Sequence, residues 1–201
     1  MREIPILMSG PLVRATLAGL KTQTRRPIKR ENKPDPGFEW AECLCREIDP
    51  SDTPCCTCEA RFPGIASAGD RLWVRETWTA AMHEPTGPAD CLYRADDNGG
   101  VEDLAEAKWT PSIHMPRWAC RLVLPLVSVR VERVQDITEE DAKAEGLRRT
   151  ENGWIDGANG YDATSARMAF RELWESIYGE ASWDENPWVW VAEWKEIEVS
   201  R

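Results

Sequence analysis

The chain has 201 residues, of which 42% are hydrophobic and 30% charged, a composition that predicts one soluble globular domain rather than a disordered or fibrous protein. Its formal net charge of −10 at pH 7 argues against a protein that coats nucleic acid by charge alone. The longest apolar stretch, residues 122–129, is far shorter than the roughly 20 residues that a membrane-spanning helix needs. The first residues lack a secretory-signal pattern, so we expect a cytoplasmic protein with no membrane partner.

Positive charge is concentrated near the N-terminus. Residues 14–33 carry seven cations and one acid, a local charge of +6 that leaves −16 for the rest of the chain. Composition alone favours a solvated loop for this segment, and a basic binding patch on an acidic body is the functional alternative. Most of the 11 tryptophans are expected in the core, although tryptophan faces are also common surfaces for base stacking.

The first predicted element is a helix that begins after Ser9 and ends near Gly19. Ser9 is a favourable N-cap, Pro11 lies in the first turn, and apolar residues recur near helical spacing. The polar stretch GLKTQTRRP, residues 19–27, therefore leaves the C-terminus of this helix. Residues 27–69 are rich in Pro, Cys, Asp and Glu without periodicity, which predicts a long inserted loop.

Strands and helices follow the insert in mixed order. Alternating apolar residues indicate strands, a capping box at Thr138 indicates the start of a short acidic helix that Gly146 ends, and a broad apolar stripe indicates an amphipathic helix. The predicted strands are 71–78, 120–134 (one strand broken at Pro125, or two consecutive strands) and 188–199, and the amphipathic helix spans 162–178. This pattern predicts an α+β fold, specifically a small barrel flanked by helices.

Five of the seven cysteines lie in the insert. Cys55 and Cys58 have the spacing of a zinc knuckle, Cys43 and Cys45 could complete a tetrahedral site, and Cys56 could replace a neighbour. We favour one structural zinc over free thiols, because an irregular insert has few apolar residues to order it otherwise. Four thiolates leave no position for a water molecule, so such a metal would not catalyse hydrolysis. No organic cofactor is expected.

The loop after the first helix carries a recognisable pattern. With Gly19, Lys21, Thr24 and Arg26 in the order Gly-x-Lys-x-x-Thr-x-Arg, the sequence resembles the ASCH domain family of PUA-like β-barrels, whose hallmark is Gly-x-Lys-x-x-Glu-x-Arg. Threonine in place of the glutamate is the variant of the small bacterial N4-acetylcytidine amidohydrolases. Residues 69–76 and 112–118 also resemble ASCH-type proteins common in bacteriophage genomes. The resemblance implies one ASCH domain over residues 1–201, with a Cys-rich insert at about 27–69.

The resemblance implies a hydrolase that removes an acyl group from N4-acetylcytidine or a related modified nucleoside. The similar hydrolases are described with a lysine, a threonine and a glutamate as catalytic residues, which implies Lys21, Thr24 and, by match to the segment 142–146, Glu145. Thr24 would attack the amide carbonyl after Lys21 has taken its proton, which requires a Lys21 pKa below the usual value of about 10.4. Glu145 would hold Lys21, position a water or return a proton to the leaving amine.

Four further residues are candidates for substrate binding. Arg26 suits a developing oxyanion or a phosphate, Arg25 would help to lower the pKa of Lys21, Glu76 is a rival acid, and Trp78 would stack on the base, as would Trp73 or Trp118. Two alternatives remain open. Lys21 and Glu145 could form a purely structural ion pair, and the protein could be a non-catalytic module that binds RNA or a modified base.

Overall fold

The computed structural model describes residues 1–28, 66–81, 85–96, 108–155 and 163–200. Within these residues the chain forms a six-stranded sheet, two small two-stranded sheets and three α-helices. The strands are β1 (Glu3–Leu7), β2 (Gln23–Pro27), β3 (Arg71–Arg75), β4 (Trp78–Ala80), β5 (Cys91–Tyr93), β6 (Leu122–Arg133), β7 (Arg148–Arg149), β8 (Trp154–Ile155), β9 (Trp188–Trp194) and β10 (Glu198–Val199), and the helices are α1 (Gly10–Leu17), α2 (Glu139–Ala144) and α3 (Ala166–Tyr178).

The large sheet has the order β1-β3-β6-β9-β2, with β10 also paired to β6. Only the β1–β3 pair is parallel, and the other pairs in this sheet are antiparallel. The long strand β6 pairs first with β3 and then with β9, and its register shifts between Leu126 and Ser128. The predicted interruption near Pro125 is therefore a change of pairing partner within one continuous strand. The predicted α+β fold is confirmed. Among the described strands, β1 and β2 lie at opposite edges of the large sheet, and no pairing between them closes it into the predicted barrel.

The main core lies between this sheet and the three helices. Helix α3 buries Ala166, Ala169, Phe170, Leu173 and Trp174 along one stripe. Full burial of a side chain such as Phe170 or Leu173 stabilises the fold by about 1.5–3 kcal/mol. The Ser165 hydroxyl caps the helix by accepting from the Met168 amide at 3.2 Å. Of the three described helices, none is long and apolar enough to cross a membrane.

Candidate functional site

Two glycine turns bring the end of α1 against the end of α2. Gly19 (φ 71°) and Gly146 (φ 95°) adopt left-handed backbone conformations that favour glycine. Residues just after Gly19 then pair with residues just before Gly146, because Lys21 and Glu145 form an isolated antiparallel bridge and the Thr22 amide donates to the Ala144 carbonyl at 2.9 Å. Two segments that are distant in sequence are thus joined through backbone contacts.

Lys21 and Glu145 form a buried ion pair at this junction. The Lys21 Nζ donates to Glu145 Oε2 at 2.7 Å, to the Glu145 carbonyl at 2.9 Å and to the Gln23 carbonyl at 2.8 Å. The two residues are only 1% and 3% exposed. All three ammonium protons therefore have acceptors, which is what a buried cation requires.

Arg25 holds the other oxygen of Glu145. Its Nη1 donates to Glu145 Oε1 at 3.1 Å, while Nε and Nη2 donate to Glu132 Oε1 at 2.9 and 2.6 Å. Asp141 Oδ2 lies 3.3 Å from the same Nη2. The guanidinium is fully buried. Arg25 therefore orients Glu145, and its N–H groups donate to carboxylates of the protein itself.

The surroundings of Lys21 change its acidity. Burial lowers the pKa of Lys21 because the charged form is desolvated, and the charges of Arg26 and Arg25 lower it further. The contact with Glu145 opposes this change but does not cancel it. A neutral amine is consequently accessible at a lower pH than for a free lysine.

Thr24 lies on β2, fully buried, and its hydroxyl is engaged by Arg26. Thr24 Oγ1 accepts from Arg26 Nη1 at 2.9 Å, and Arg26 also donates to the carbonyls of Arg25 at 3.0 Å and Leu7 at 2.9 Å. The structure therefore brings Lys21 and Glu145 into direct contact, whereas Thr24 has no hydrogen bond to either of them and is linked to the site through Arg26.

A small cleft opens over the ion pair. Its polar side is made by Lys21, Arg25, Arg26 and Glu145, and its apolar side by Leu12, Phe170, Leu173, Trp174, Ile177 and Tyr178. The space available to the centres of water molecules is about 20 Å³, where one ordered water needs on the order of 10–15 Å³. The cleft thus has room for about one or two waters, and a nucleoside could enter this closed form only if side chains at its mouth moved.

Glu76 and Trp78, the other two predicted binding residues, lie outside this cleft. Glu76 is 1% exposed and accepts from Arg121 Nε and Nη2, both at 2.9 Å. Burial raises the pKa of Glu76 although Arg121 favours its charged form. Trp78 is 8% exposed and packs edge-on against Trp118, with ring centroids 5.3 Å apart, in a second small core.

Sequence reasoning missed the aromatic side of the cleft. Phe170, Trp174 and Tyr178 are spaced by four residues on α3 and all line the cleft. The apolar stripe in the sequence indicated an amphipathic helix here and no binding role for its rings. The signal that could have identified it is the i, i+4, i+8 repetition of rings, which places three aromatic side chains along one line of the helix.

The predicted zinc ligands Cys43, Cys45, Cys55 and Cys58 lie outside the described residues. Within the residues that the structure does describe, no three His, Cys, Asp or Glu side chains group as a metal site. Zinc binding by the insert therefore stays a prediction.

The turn at Gly146 supports a first mutational prediction. A Cβ at this position would lie 2.9 Å from the Lys21 Cβ and 3.0 Å from the Ala15 Cβ. Gly146→Ala should therefore combine backbone strain of about 1–2 kcal/mol with overpacking of about 1–3 kcal/mol. The matched control is Gly69→Ala, which has a similar φ of 85° but nothing within 4 Å of the new Cβ, so only the strain is expected. Equal losses in urea unfolding of the two variants would contradict the close approach of Gly146 to Lys21.

Comparisons of the chain with models of protein families, with curated proteins and with solved structures found no match.

Proposed function

We propose that the protein is an amidohydrolase that removes the acyl group from N4-acetylcytidine or a related modified nucleoside, and that its sheet belongs to a PUA-like barrel of the ASCH type. The observation that carries the proposal is the buried Lys21–Glu145 pair at the floor of a cleft, with a Lys21 pKa lowered by burial. Perturbed lysines in clefts are typical of sites that move protons. The loop pattern shared with the similar hydrolases supports the choice of substrate.

The proposed reaction begins with attack by Thr24. Neutral Lys21 takes the Thr24 hydroxyl proton as Oγ1 adds to the acyl carbonyl, and the guanidinium of Arg26 stabilises the oxyanion that forms. The carbon–nitrogen bond then breaks, and Lys21 returns the proton to the N4 amine as cytidine leaves. Water, deprotonated in its turn by Lys21, adds to the acyl ester. The bond between the acyl carbon and Thr24 Oγ1 then breaks, Lys21 returns the proton to Oγ1, and the carboxylic acid is released.

This reaction requires a rearrangement from the closed form. Arg26 must release the Thr24 hydroxyl, to which it is bonded at 2.9 Å, and Lys21 must approach it. Glu145 would keep the amine at the cleft floor during this movement, because its two oxygens are held separately, one by Lys21 and one by Arg25.

The second candidate is a non-catalytic module that binds RNA or a modified base. It is favoured by the fact that every proton of Lys21 already has a protein acceptor, an arrangement that a structural ion pair would share. Incubation of the purified protein with N4-acetylcytidine separates the two. Release of cytidine and acetate in equal amounts supports the hydrolase. Calorimetric binding of N4-acetylcytidine without any cytidine at high protein concentration supports the binding module.

The lowered pKa of Lys21 predicts the pH dependence of turnover. Since the neutral amine is the base, kcat/KM should rise with pH through the pKa of Lys21 in the folded protein, which lies below the usual value of about 10.4. The measurement is a pH–rate profile with N4-acetylcytidine. Lys21→Arg, which stays protonated throughout, should abolish this rising limb. A profile that is flat over the whole range, or one that falls as pH rises, would exclude Lys21 as the base.

We also propose that the insert binds one structural zinc through Cys43, Cys45, Cys55 and Cys58. Purified protein should then carry about one equivalent of zinc with Zn–S distances of ~2.3 Å by X-ray absorption. Cys55→Ser should lower the zinc content, whereas Cys91→Ser should leave it unchanged, because Cys91 is buried in a separate small core on β5. Protein that lacks zinc when purified without chelators would contradict the proposal.

A further inference from the structure

The cleft has one charged side and one aromatic side. On the aromatic side the ring centroids of Phe170 and Trp174 are 6.1 Å apart and those of Trp174 and Tyr178 are 4.4 Å apart. The Arg25 guanidinium carbon lies 5.9 Å from the Phe170 ring centroid, so the two sides meet at the inner end. Such a wall favours a flat ring that packs against the side chains of α3.

Trp174 also carries an unused hydrogen-bond donor. The residue is 3% exposed, and its Nε1 is buried without a hydrogen-bond partner among the described residues. Buried tryptophan N–H groups usually have an acceptor. Trp78 and Trp194 also have unpartnered indole nitrogens, but neither residue lines the cleft. Trp174 is therefore the described tryptophan that combines an unpaired donor with a place in the cleft wall.

We propose that Trp174 is a substrate-binding residue whose indole N–H donates to a carbonyl oxygen of a planar heterocycle, such as the ring carbonyl of the cytosine base. This inference rests on the proposed function only for the choice of heterocycle. The base would lie along the α3 wall, with its exocyclic N4 side toward Lys21 and Glu145. A ring carbonyl gives the buried donor the acceptor that the protein itself does not provide.

Entry of the ring requires movement at the mouth of the cleft. Ile177 and Tyr178 line it and are 53% and 38% exposed. Ile177 faces solvent at the last turn of α3, so it can change rotamer with little loss of packing. Movement of Tyr178 gives up its contact with the Trp174 ring, whose centroid lies 4.4 Å away. Trp174 lies one turn deeper and stays in place as the fixed contact.

The test is a titration of the protein with cytidine, which is the product of the proposed reaction and binds without turnover. Indole N–H signals are recorded by ¹⁵N NMR, and the Trp174 signal is assigned by its loss in Trp174→Phe. We expect this signal to move downfield on binding, and the Kd for cytidine to rise by roughly 3- to 10-fold in Trp174→Phe. The control is Trp194→Phe, which removes an equally buried and unpartnered indole outside the cleft and should leave the Kd unchanged.

The inference is overturned if the Trp174 signal stays fixed at saturating cytidine, if Trp174→Phe binds as tightly as the wild type, or if cytidine does not bind. A separate assay for cytidine release from N4-acetylcytidine keeps the two proposals apart. Hydrolysis with an unmoved Trp174 signal refutes the role of Trp174 alone. A shifted Trp174 signal without hydrolysis refutes the amidohydrolase alone.

Discussion

Replacing Glu145 with alanine should lower the free energy of unfolding by about 3–5 kcal/mol, the usual cost of leaving a buried charge without its partner. Lys21 is 1% exposed, and its carboxylate partner lies 2.7 Å away. Arg25 would keep Glu132 and Asp141 as partners. Lys21 is therefore the buried charge that loses its carboxylate partner. Urea unfolding of the two proteins gives the difference.

The matched control for this variant is Glu140→Ala. Glu140 lies in the first turn of α2, the helix that Glu145 follows, but its side chain is 81% exposed and its 3.8 Å contact with Lys143 is a surface pair, worth at most about 1 kcal/mol.

The loss in Glu145→Ala should also shrink as pH rises from the Lys21 pKa of the folded variant to that of the folded wild type, which itself lies below the usual value of about 10.4. Without Glu145, the folded protein releases the Lys21 proton at a lower pH than the wild type does, while the unfolded chains behave alike, so the variant gains stability relative to the wild type. A loss no larger than that of Glu140→Ala would contradict the buried pair.

Lys21→Met should reduce kcat/KM for N4-acetylcytidine by about 10²- to 10⁴-fold, the usual contribution of a general acid–base group. Methionine resembles the lysine chain in length and removes only the amine. The fold should persist, because Arg25 still pairs with Glu145 at 3.1 Å. Turnover and far-UV circular dichroism should be measured on the same preparation.

The control for the lysine variant is Lys143→Met in the last turn of α2, where the side chain is 42% exposed. Its turnover should equal that of the wild type. Lys21→Met with a kcat/KM within about tenfold of the wild type would remove Lys21 from the mechanism, since general acid–base groups contribute more than that.

Local signals predicted the three described helices and the strands β3, β6 and β9, but they missed β1 and β2, and the segment expected to be a solvated loop holds the buried strand β2. Helix α2 begins after Thr138, whose hydroxyl accepts from the Asp141 amide at 3.1 Å, and it ends before Gly146, as predicted. The apolar stripe predicted α3 to within a few residues. These signals act over a single turn of helix, so they are visible in sequence. The helix after Ser9 is also present, although the Ser9 side chain makes no capping hydrogen bond.

Long-range contacts were accessible only through the family resemblance. Lys21 and Glu145 are 124 residues apart, and no local pattern connects them. The pairing of Arg25 with Glu132 depends on how β2, β9 and β6 align, which strand patterns do not specify. In the same way, the stripe on α3 indicates burial, but does not show which of its residues border a cleft rather than a filled core.

The most direct test of the account is a single-turnover reaction of N4-acetylcytidine with excess protein, quenched in acid and followed by peptide mass mapping. We expect one cytidine to be released for each N4-acetylcytidine supplied, and an acetyl ester to be found transiently on Thr24. Thr24→Ala should give neither, while Thr22→Ala, two residues earlier in the chain, should give both. Cytidine release at an undiminished rate from Thr24→Ala, or no cytidine from the wild type, would contradict the assignment of this site as an amidohydrolase centre.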